Sequence, residues 1–150
     1  VTQYPNLAAK IGAALGDLFD VRVDAVFAPT PENSILAQEV ARFKNARTLF
    51  ATDAGGSMQL KGSMKINPGE NVLIVDNVTM TCRKVREAVS LIQMMKANAV
   101  GAAVIVDRSS TGAVGNIPLR SLLSYPLDTY EPEVCPMCKA GTKLIKKGAK

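Results

Sequence analysis

An α/β fold with a mainly parallel central sheet flanked by helices is predicted by apolar runs that alternate with helical repeats. The runs at 72–75 and 102–106 are continuously apolar, as in strands that are buried on both faces of a parallel sheet. The segments 5–19 and 85–97 repeat apolar residues at intervals of three and four, which indicates amphipathic helices. Strands that alternate with helices favour right-handed strand–helix–strand units.

The other elements can be assigned in chain order. A short apolar strand at 21–27 precedes a loop at 28–34, and Ser34 is a suitable N-cap for a second helix. A strand at 46–52 is followed by the glycine-rich stretch 53–64. That stretch is typical of a β-hairpin or a mobile loop.

The length and charge of the chain suggest one folded domain with a basic end. With 150 residues, of which 47% are hydrophobic, the chain is long enough to form one core. We expect an α/β domain at 1–130 and a basic C-terminal segment at 131–150. The net charge of +5 comes largely from lysines in the last dozen residues. A solvated segment is favoured over a site for phosphate, lipid or nucleic acid, so we expect no nucleic-acid partner.

Residue usage also limits the chemistry. The chain has no histidine, which removes histidine-based acid–base catalysis and the commonest metal ligand. No apolar run approaches the roughly 18 residues of a membrane span. Three cysteines do not make a disulfide framework, so we expect a reducing compartment, either the cytoplasm or an organelle interior. Cys135 and Cys138 form one CxxC pair, for which a structural turn is favoured over redox or metal chemistry, and no metal site is predicted.

Residues 71–89 carry the candidate binding site. An apolar strand reaches Asp76, polar or mixed positions fill 77–84, and helical periodicity resumes near Val85. In an open parallel sheet, ligands bind beyond the carboxyl ends of the strands, where loop amides and a helix N-terminus converge. We therefore expect the ligand crevice at the end of this strand.

Several blocks resemble one known family. The sequence Asp-Asn-Val-Thr-Met-Thr-Cys-Arg-Lys at 76–84 resembles the phosphoribosyl-pyrophosphate signature of type I phosphoribosyltransferases. Four further blocks, in matching order, resemble bacterial orotate phosphoribosyltransferases; they lie at 24–29, 39–42, 106–110 and 130–141. The resemblance covers most of the chain and implies a type I phosphoribosyltransferase fold. It also implies a role in pyrimidine biosynthesis, in which orotidine 5′-monophosphate is made from orotate and phosphoribosyl pyrophosphate with magnesium.

The resemblance implies roles for individual residues. Asp76 would hold the ribose hydroxyls, or magnesium through water, and Thr79 and Thr81 would belong to the cradle of the 5′-phosphate. Arg108 would lie near the carboxylate of orotate, which suits its planar guanidinium. An ion pair between Asp107 and Arg108 that organises the loop is an equally weighted alternative.

Lys61 would be the basic residue of a catalytic loop that reaches the active site of a partner subunit. A lone lysine on a glycine-rich loop is more often solvated, and that interpretation is favoured here.

Members of the family commonly dimerise, so a homodimer or a subunit of a larger assembly is expected. The family also has a segment before the first helix that helps to form the orotate pocket, and this sequence begins after it.

Three departures from the family pattern affect the predicted site. Glu32 and Asn33 replace two glycines of the pyrophosphate loop, and Asn77 replaces a second carboxylate. In the phosphate loop at 80–84 only the threonine is kept, and both glycines are lost. Side chains at these positions would obstruct the close approach of backbone amides to a phosphate.

Three hypotheses follow from these departures. The favoured one is a pseudoenzyme, a catalytically inactive homologue that serves as a structural or interaction subunit and binds no cofactor. The alternative is an active orotate phosphoribosyltransferase that uses magnesium with phosphoribosyl pyrophosphate. The third is a nucleotide- or anion-sensing module in which Arg83 and Lys84 bind phosphate through side-chain charge; a vestigial loop is favoured over such a rebuilt site.

Overall fold

The computed structural model describes residues 2–109, 111–128, 130–131 and 133–142. Within these ranges the chain forms a seven-stranded sheet and four α-helices. The helices are α1 (Pro5–Asp17), α2 (Ser34–Lys44), α3 (Arg83–Met94) and α4 (Pro136–Lys139), and a 3₁₀ turn at Pro31–Asn33 precedes α2. The strands are β1 (Ala25–Ala28), β2 (Arg47–Ala54), β3 (Ser57–Leu60), β4 (Asn71–Thr79), β5 (Asn98–Asp107), β6 (Ala113–Val114) and β7 (Ile117–Ser124).

The centre of the sheet is parallel, as predicted. Strands β2, β1, β4, β5 and β7 lie side by side in that order and run parallel. β3 and β6 pair antiparallel with β2 and β7 at the two edges. This arrangement confirms the α/β class. The basic C-terminal segment lies partly outside the described residues, because these end at 142.

Helices cover both faces of the sheet. Val72 and Ile74 of β4 belong to the apolar cluster that contains the buried face of α3. Their neighbours Leu73 and Val75 belong to a second cluster, formed with α1 and α2. Successive residues of a strand point to opposite faces, so this division explains why the central run is continuously apolar.

Two glycines show how tightly the chain is constrained at particular points. A Cβ atom at Gly101 of β5 would lie 2.1 Å from the buried ring of Phe19, so only glycine lets this ring lie against the sheet. Gly56 and the residue before it have positive φ angles, +87° and +66°, and connect β2 to β3. Positive φ angles at both central residues suit a two-residue hairpin turn, and the predicted hairpin at 53–64 is confirmed in its first half.

The predicted boundaries at the candidate site were wrong. The polar positions after the run at 72–75 were expected to form a loop, whereas β4 continues to Thr79. The ladder with β5 persists because Asp76 pairs with Val104 and Thr79 pairs with Asp107. Backbone hydrogen bonds to a neighbouring strand thus extend a strand beyond its apolar residues. Only residues 80–82 separate β4 from α3.

β6 and β7 were not predicted from the sequence. β7 contains Pro118 near its start, before the pairing with β5 begins at Leu119, and its second half is largely exposed. Buried and exposed residues alternate only over its first four positions, so neither a long alternation nor a continuous apolar run marks it as a strand. No helix in the described part of the chain is both long enough and apolar enough to cross a membrane.

Candidate functional site

Asp76 lies near the carboxyl end of β4 and is almost fully buried, with 6% of its surface exposed. Its Oδ1 atom accepts a hydrogen bond of 2.5 Å from Nδ2 of Asn33 and one of 2.8 Å from the backbone N–H of Asn77. Burial raises the pKa of this carboxyl group above its usual value, and the two hydrogen bonds and the charge of Lys84 oppose that rise. The site therefore holds a carboxylate whose charge is poorly solvated.

The loop at 80–82 is shaped by Cys82. This residue is buried and has a φ angle of +56°, a left-handed conformation that glycine adopts without strain. Its Sγ atom lies 3.8 Å from the Oγ1 atom of Thr111, and the guanidinium of Arg86 donates to the backbone oxygen of Thr81. The side chain of Cys82 is thus packed in the protein interior, and Arg86 of α3 stabilises the backbone of the loop.

Arg83 and Lys84 begin α3 and bring positive charge to the site. Arg83 is exposed and its Nη1 atom lies 3.0 Å from Oε1 of Glu87, one helical turn away. Hydrogen bonds to Thr30 and to its own backbone lower the pKa of Glu32, and the charge of Lys84 adds a smaller lowering. The same charge opposes the rise in the pKa of Asp76. Lys84 therefore lies within electrostatic reach of both loops, after β1 and after β4.

Two adjoining cavities lie at this edge of the sheet. One of about 220 Å³ is lined by residues 76 and 78–84. The other, of about 270 Å³, lies between the loop after β1, the β2–β3 hairpin and the start of α3. The second cavity is lined by both signs of charge, contributed by Glu32, Asp53, Arg83, Lys84 and Glu87. An anion entering it would meet both cations and carboxylates.

The structure brings five predicted site residues together around the smaller cavity: Asp76, Thr79, Thr81, Arg83 and Lys84. Lys61 follows β3, where its backbone N–H donates to the oxygen of Phe50. It lines neither cavity. Within one chain, Lys61 is therefore not part of this site.

Arg108 lies beside the phosphate loop, since its backbone N–H donates to the oxygen of Thr79 at 2.9 Å. The equally weighted alternative, an ion pair with Asp107, is absent from the described residues. Oδ1 of Asp107 instead accepts hydrogen bonds from the backbone N–H and the hydroxyl of Ser109, at 2.8 and 2.6 Å. The Nε atom of Arg108 is buried and has no hydrogen-bond partner in the described part of the chain. Such an atom usually has a partner, so a ligand acceptor would fit here.

Sequence reasoning missed the contact between Asn33 and Asp76. The altered loop after β1 was recognised as an obstacle to a phosphate, but Asn33 was not assigned to the site. The available signal was topological: β1 and β4 are parallel neighbours, with Phe27 beside Ile74, so the loops that follow them end at the same edge. A polar residue after one strand can then reach an acidic residue in the other.

Comparison with known proteins identifies close relatives, although no protein-family model matches the chain. A protein of Caldicellulosiruptor saccharolyticus named orotate phosphoribosyltransferase is 40% identical over 152 residues, which cover all of this chain and 79% of that protein. A protein of the same name from Thermus thermophilus is 38% identical over 144 residues, covering 95% of this chain and 79% of the relative.

Solved structures agree on the fold. Adenine phosphoribosyltransferase from Rhodothermus marinus superimposes with a TM-score of 0.69 at 18% identity, covering 82% of each chain. Orotate phosphoribosyltransferase from Aeropyrum pernix gives a TM-score of 0.64 at 20% identity, covering 79% of this chain and 70% of that structure. The architecture around the two cavities is thus that of the type I phosphoribosyltransferases.

Proposed function

Because the chain belongs to the orotate phosphoribosyltransferase family, we propose that it transfers the phosphoribosyl group of phosphoribosyl pyrophosphate to orotate. The products would be orotidine 5′-monophosphate and pyrophosphate. The main support for this proposal is that Asp76, Thr79 and Thr81 line one cavity together with the first residues of α3. The names of relatives that match the whole chain at 38–40% identity support the same reaction.

Binding of the phosphoribosyl group would use groups of both signs. The first amides of α3 and the side chains of Arg83 and Lys84 offer donors and positive charge to phosphate oxygens. The carboxylate of Asp76 offers acceptors for the ribose hydroxyls, and its negative charge would stabilise positive charge that develops on the ribose carbon as pyrophosphate leaves. Burial of Asp76 strengthens such an interaction, because the surrounding dielectric is low.

The residues present also fit a magnesium ion that arrives with the substrate. Mg²⁺ in phosphate-processing sites is commonly held by one or two carboxylates together with substrate phosphates. Asp76 supplies one carboxylate here, whereas the side-chain oxygen of Asn77 accepts a hydrogen bond of 2.7 Å from the backbone N–H of Val78 and lines neither cavity. The ion would neutralise charge on the departing pyrophosphate.

Arg108 is the proposed contact for the orotate carboxylate, since its buried Nε atom has no partner in the described residues. We expect Arg108→Gln to raise the KM for orotate about 10- to 100-fold, the cost of one or two charged hydrogen bonds. The KM for phosphoribosyl pyrophosphate should stay close to that of the wild type. Steady-state kinetics with each substrate varied in turn measure both constants.

The matched control for this prediction is Arg22→Gln. Arg22 is exposed and pairs with Asp24, near the amino end of β1 and away from both cavities. This control should leave both KM values unchanged. An equal rise of both KM values in Arg108→Gln would show that the arginine supports the loop rather than binding orotate.

A second candidate function is that of a non-catalytic subunit, and the bond between Asn33 and Asp76 favours it. The amide of Asn33 occupies one oxygen of the only acidic residue at the end of β4, and Glu32 adds a carboxylate that would repel pyrophosphate. In this state the protein would keep the family fold and contribute it to a homodimer or a larger assembly.

Calorimetric titration of the purified protein with phosphoribosyl pyrophosphate and Mg²⁺ separates the two candidates. Saturable binding, followed by formation of orotidine 5′-monophosphate when orotate is added, is the result expected for the enzyme. A folded protein that gives no binding heat at millimolar ligand and makes no product would overturn the transfer proposal. That result would leave the non-catalytic candidate.

A further inference from the structure

The CxxC pair lies outside the sheet, in a short, closed turn. Cys135 precedes α4 as its N-cap and Cys138 lies in the helix. The backbone N–H of Cys138 donates to Sγ of Cys135 at 3.5 Å. Lys139 donates its N–H to the oxygen of Cys135, and Gly141 donates to the oxygen of Cys138, each at 3.0 Å. These bonds hold the two cysteines on one turn.

The two sulfur atoms have different environments. Hydrogen bonds from the backbone N–H and the thiol of Cys138 lower the pKa of Cys135 below its usual value. The same thiol bond raises the pKa of Cys138, because its proton is shared with the neighbouring sulfur. Cys138 is exposed, whereas Cys135 is buried. Cys135 is therefore the more acidic thiol of the pair, and Cys138 lies on the same turn.

We propose that Cys135 and Cys138 form a reversible redox site, in which Cys135 attacks a small-molecule disulfide and Cys138 completes an internal disulfide. The thiolate of Cys135 forms a bond to one sulfur of glutathione disulfide, and the other sulfur leaves as glutathione thiolate. Cys138 then loses its proton and attacks Cys135, releasing the second glutathione. Two protein thiols are oxidised and one glutathione disulfide is reduced to two thiols, so atoms and electrons balance.

A metal is the main competing use of such a pair, but the described part of one chain does not complete a metal site. A structural zinc ion requires four ligands, usually cysteine or histidine. The sequence has three cysteines and no histidine. The described residues contain no cluster of three or more potential ligands. Cys82, the third cysteine, is buried at the start of α3 beside Thr111.

The test is thiol–disulfide exchange of the full chain in glutathione redox buffers. After acid quenching and alkylation, peptide mapping by mass spectrometry should find a Cys135–Cys138 disulfide that dithiothreitol reverses, while Cys82 stays alkylatable after unfolding. Cys138→Ser should accumulate a glutathione adduct on Cys135. Cys135→Ser should form its adduct on Cys138 about 10-fold more slowly near neutral pH, because the backbone hydrogen bond that lowers the pKa of Cys135 persists in Cys138→Ser, whereas the pKa of Cys138 has no comparable lowering.

Three results would overturn the proposal. The first is wild-type protein that forms no internal disulfide even in a large excess of glutathione disulfide over glutathione. The second is a pair of single variants that react at equal rates. The third is purified protein that holds one zinc ion per two chains and becomes oxidisable only after chelation, which would assign the pair to a metal shared between copies. The wild-type measurement needs no substitution, so it stands even if a variant misfolds.

Discussion

Asn33→Gly is expected to tighten binding of phosphoribosyl pyrophosphate about 10-fold, because it removes a hydrogen bond that competes with the ligand. In the wild type, Nδ2 of Asn33 lies 2.5 Å from Oδ1 of Asp76, so a ligand hydroxyl or a hydrated ion must displace this amide. Glycine also removes the Cβ atom from a loop whose backbone would approach a phosphate. Titration calorimetry with phosphoribosyl pyrophosphate and Mg²⁺ measures the change.

Asn33→Ala is the matched control for this effect. It removes the same amide but keeps a Cβ atom, and the φ angle of −92° at this position is open to either residue. If the hydrogen bond is the main obstacle, alanine and glycine should tighten binding equally. If the close approach of backbone is limiting, only glycine should do so. Wild-type affinity in both variants would contradict the assignment of Asn33 as a competitor for Asp76.

The limits of sequence reasoning are clear at this contact. Asn33 and Asp76 are 43 positions apart, and neither belongs to a pattern that links the two loops. The fold class could be predicted from the sequence because the periodicity of apolar residues and pairs of glycines are local signals. The apolar runs at 72–75 and 102–106, for example, both lie in central parallel strands. The contact depends on the side-chain conformation of Asn33 and on the alignment of β1 with β4, and only the folded chain specifies these.

The same distinction explains the errors in strand length. The strand was expected to stop at Asp76, with Thr79 in the following loop, because polar residues usually end a buried strand. Each is instead buried in β4, with 6% and 5% of its surface exposed. Their backbone is held by β5, and the Asp76 side chain finds hydrogen-bond partners at the edge of the sheet. Buried polar residues at a strand end are typical of ligand sites, where local rules are broken at a cost in stability.

Asp76→Asn is expected to lower kcat/KM for phosphoribosyl transfer at least about 100-fold and to stabilise the fold at neutral pH. The loss of activity follows from removing a preorganised charge at the reacting ribose. The gain in stability follows from the raised pKa of Asp76, whose largest cause is burial. Asparagine keeps an oxygen that can accept from Asn33 and from the N–H of Asn77, so the hydrogen bonds are retained while the charge is lost.

The pH dependence has a definite sign. A carboxyl group whose pKa is raised on folding makes the native state less stable once the pH exceeds both its unfolded and its folded pKa. As the pH falls through the folded value towards the unfolded value, this penalty disappears. Urea unfolding should therefore show that the advantage of Asp76→Asn over the wild type is largest near pH 7 and shrinks towards pH 4.

Asp24→Asn is the matched control, and it should have the opposite effect on stability. The pKa of Asp24 is lowered, chiefly by the hydrogen bond from the backbone N–H of Asn71 at 3.0 Å. Its ionised form therefore stabilises the fold above its unfolded pKa, and that contribution is lost as the pH falls through the folded pKa. Asp24→Asn should destabilise the protein at pH 7 without changing transfer activity, since Asp24 precedes β1 at the opposite end of the sheet. If Asp76→Asn also destabilised the protein at pH 7, the carboxylate of Asp76 would serve to stabilise the fold rather than to bind a ligand.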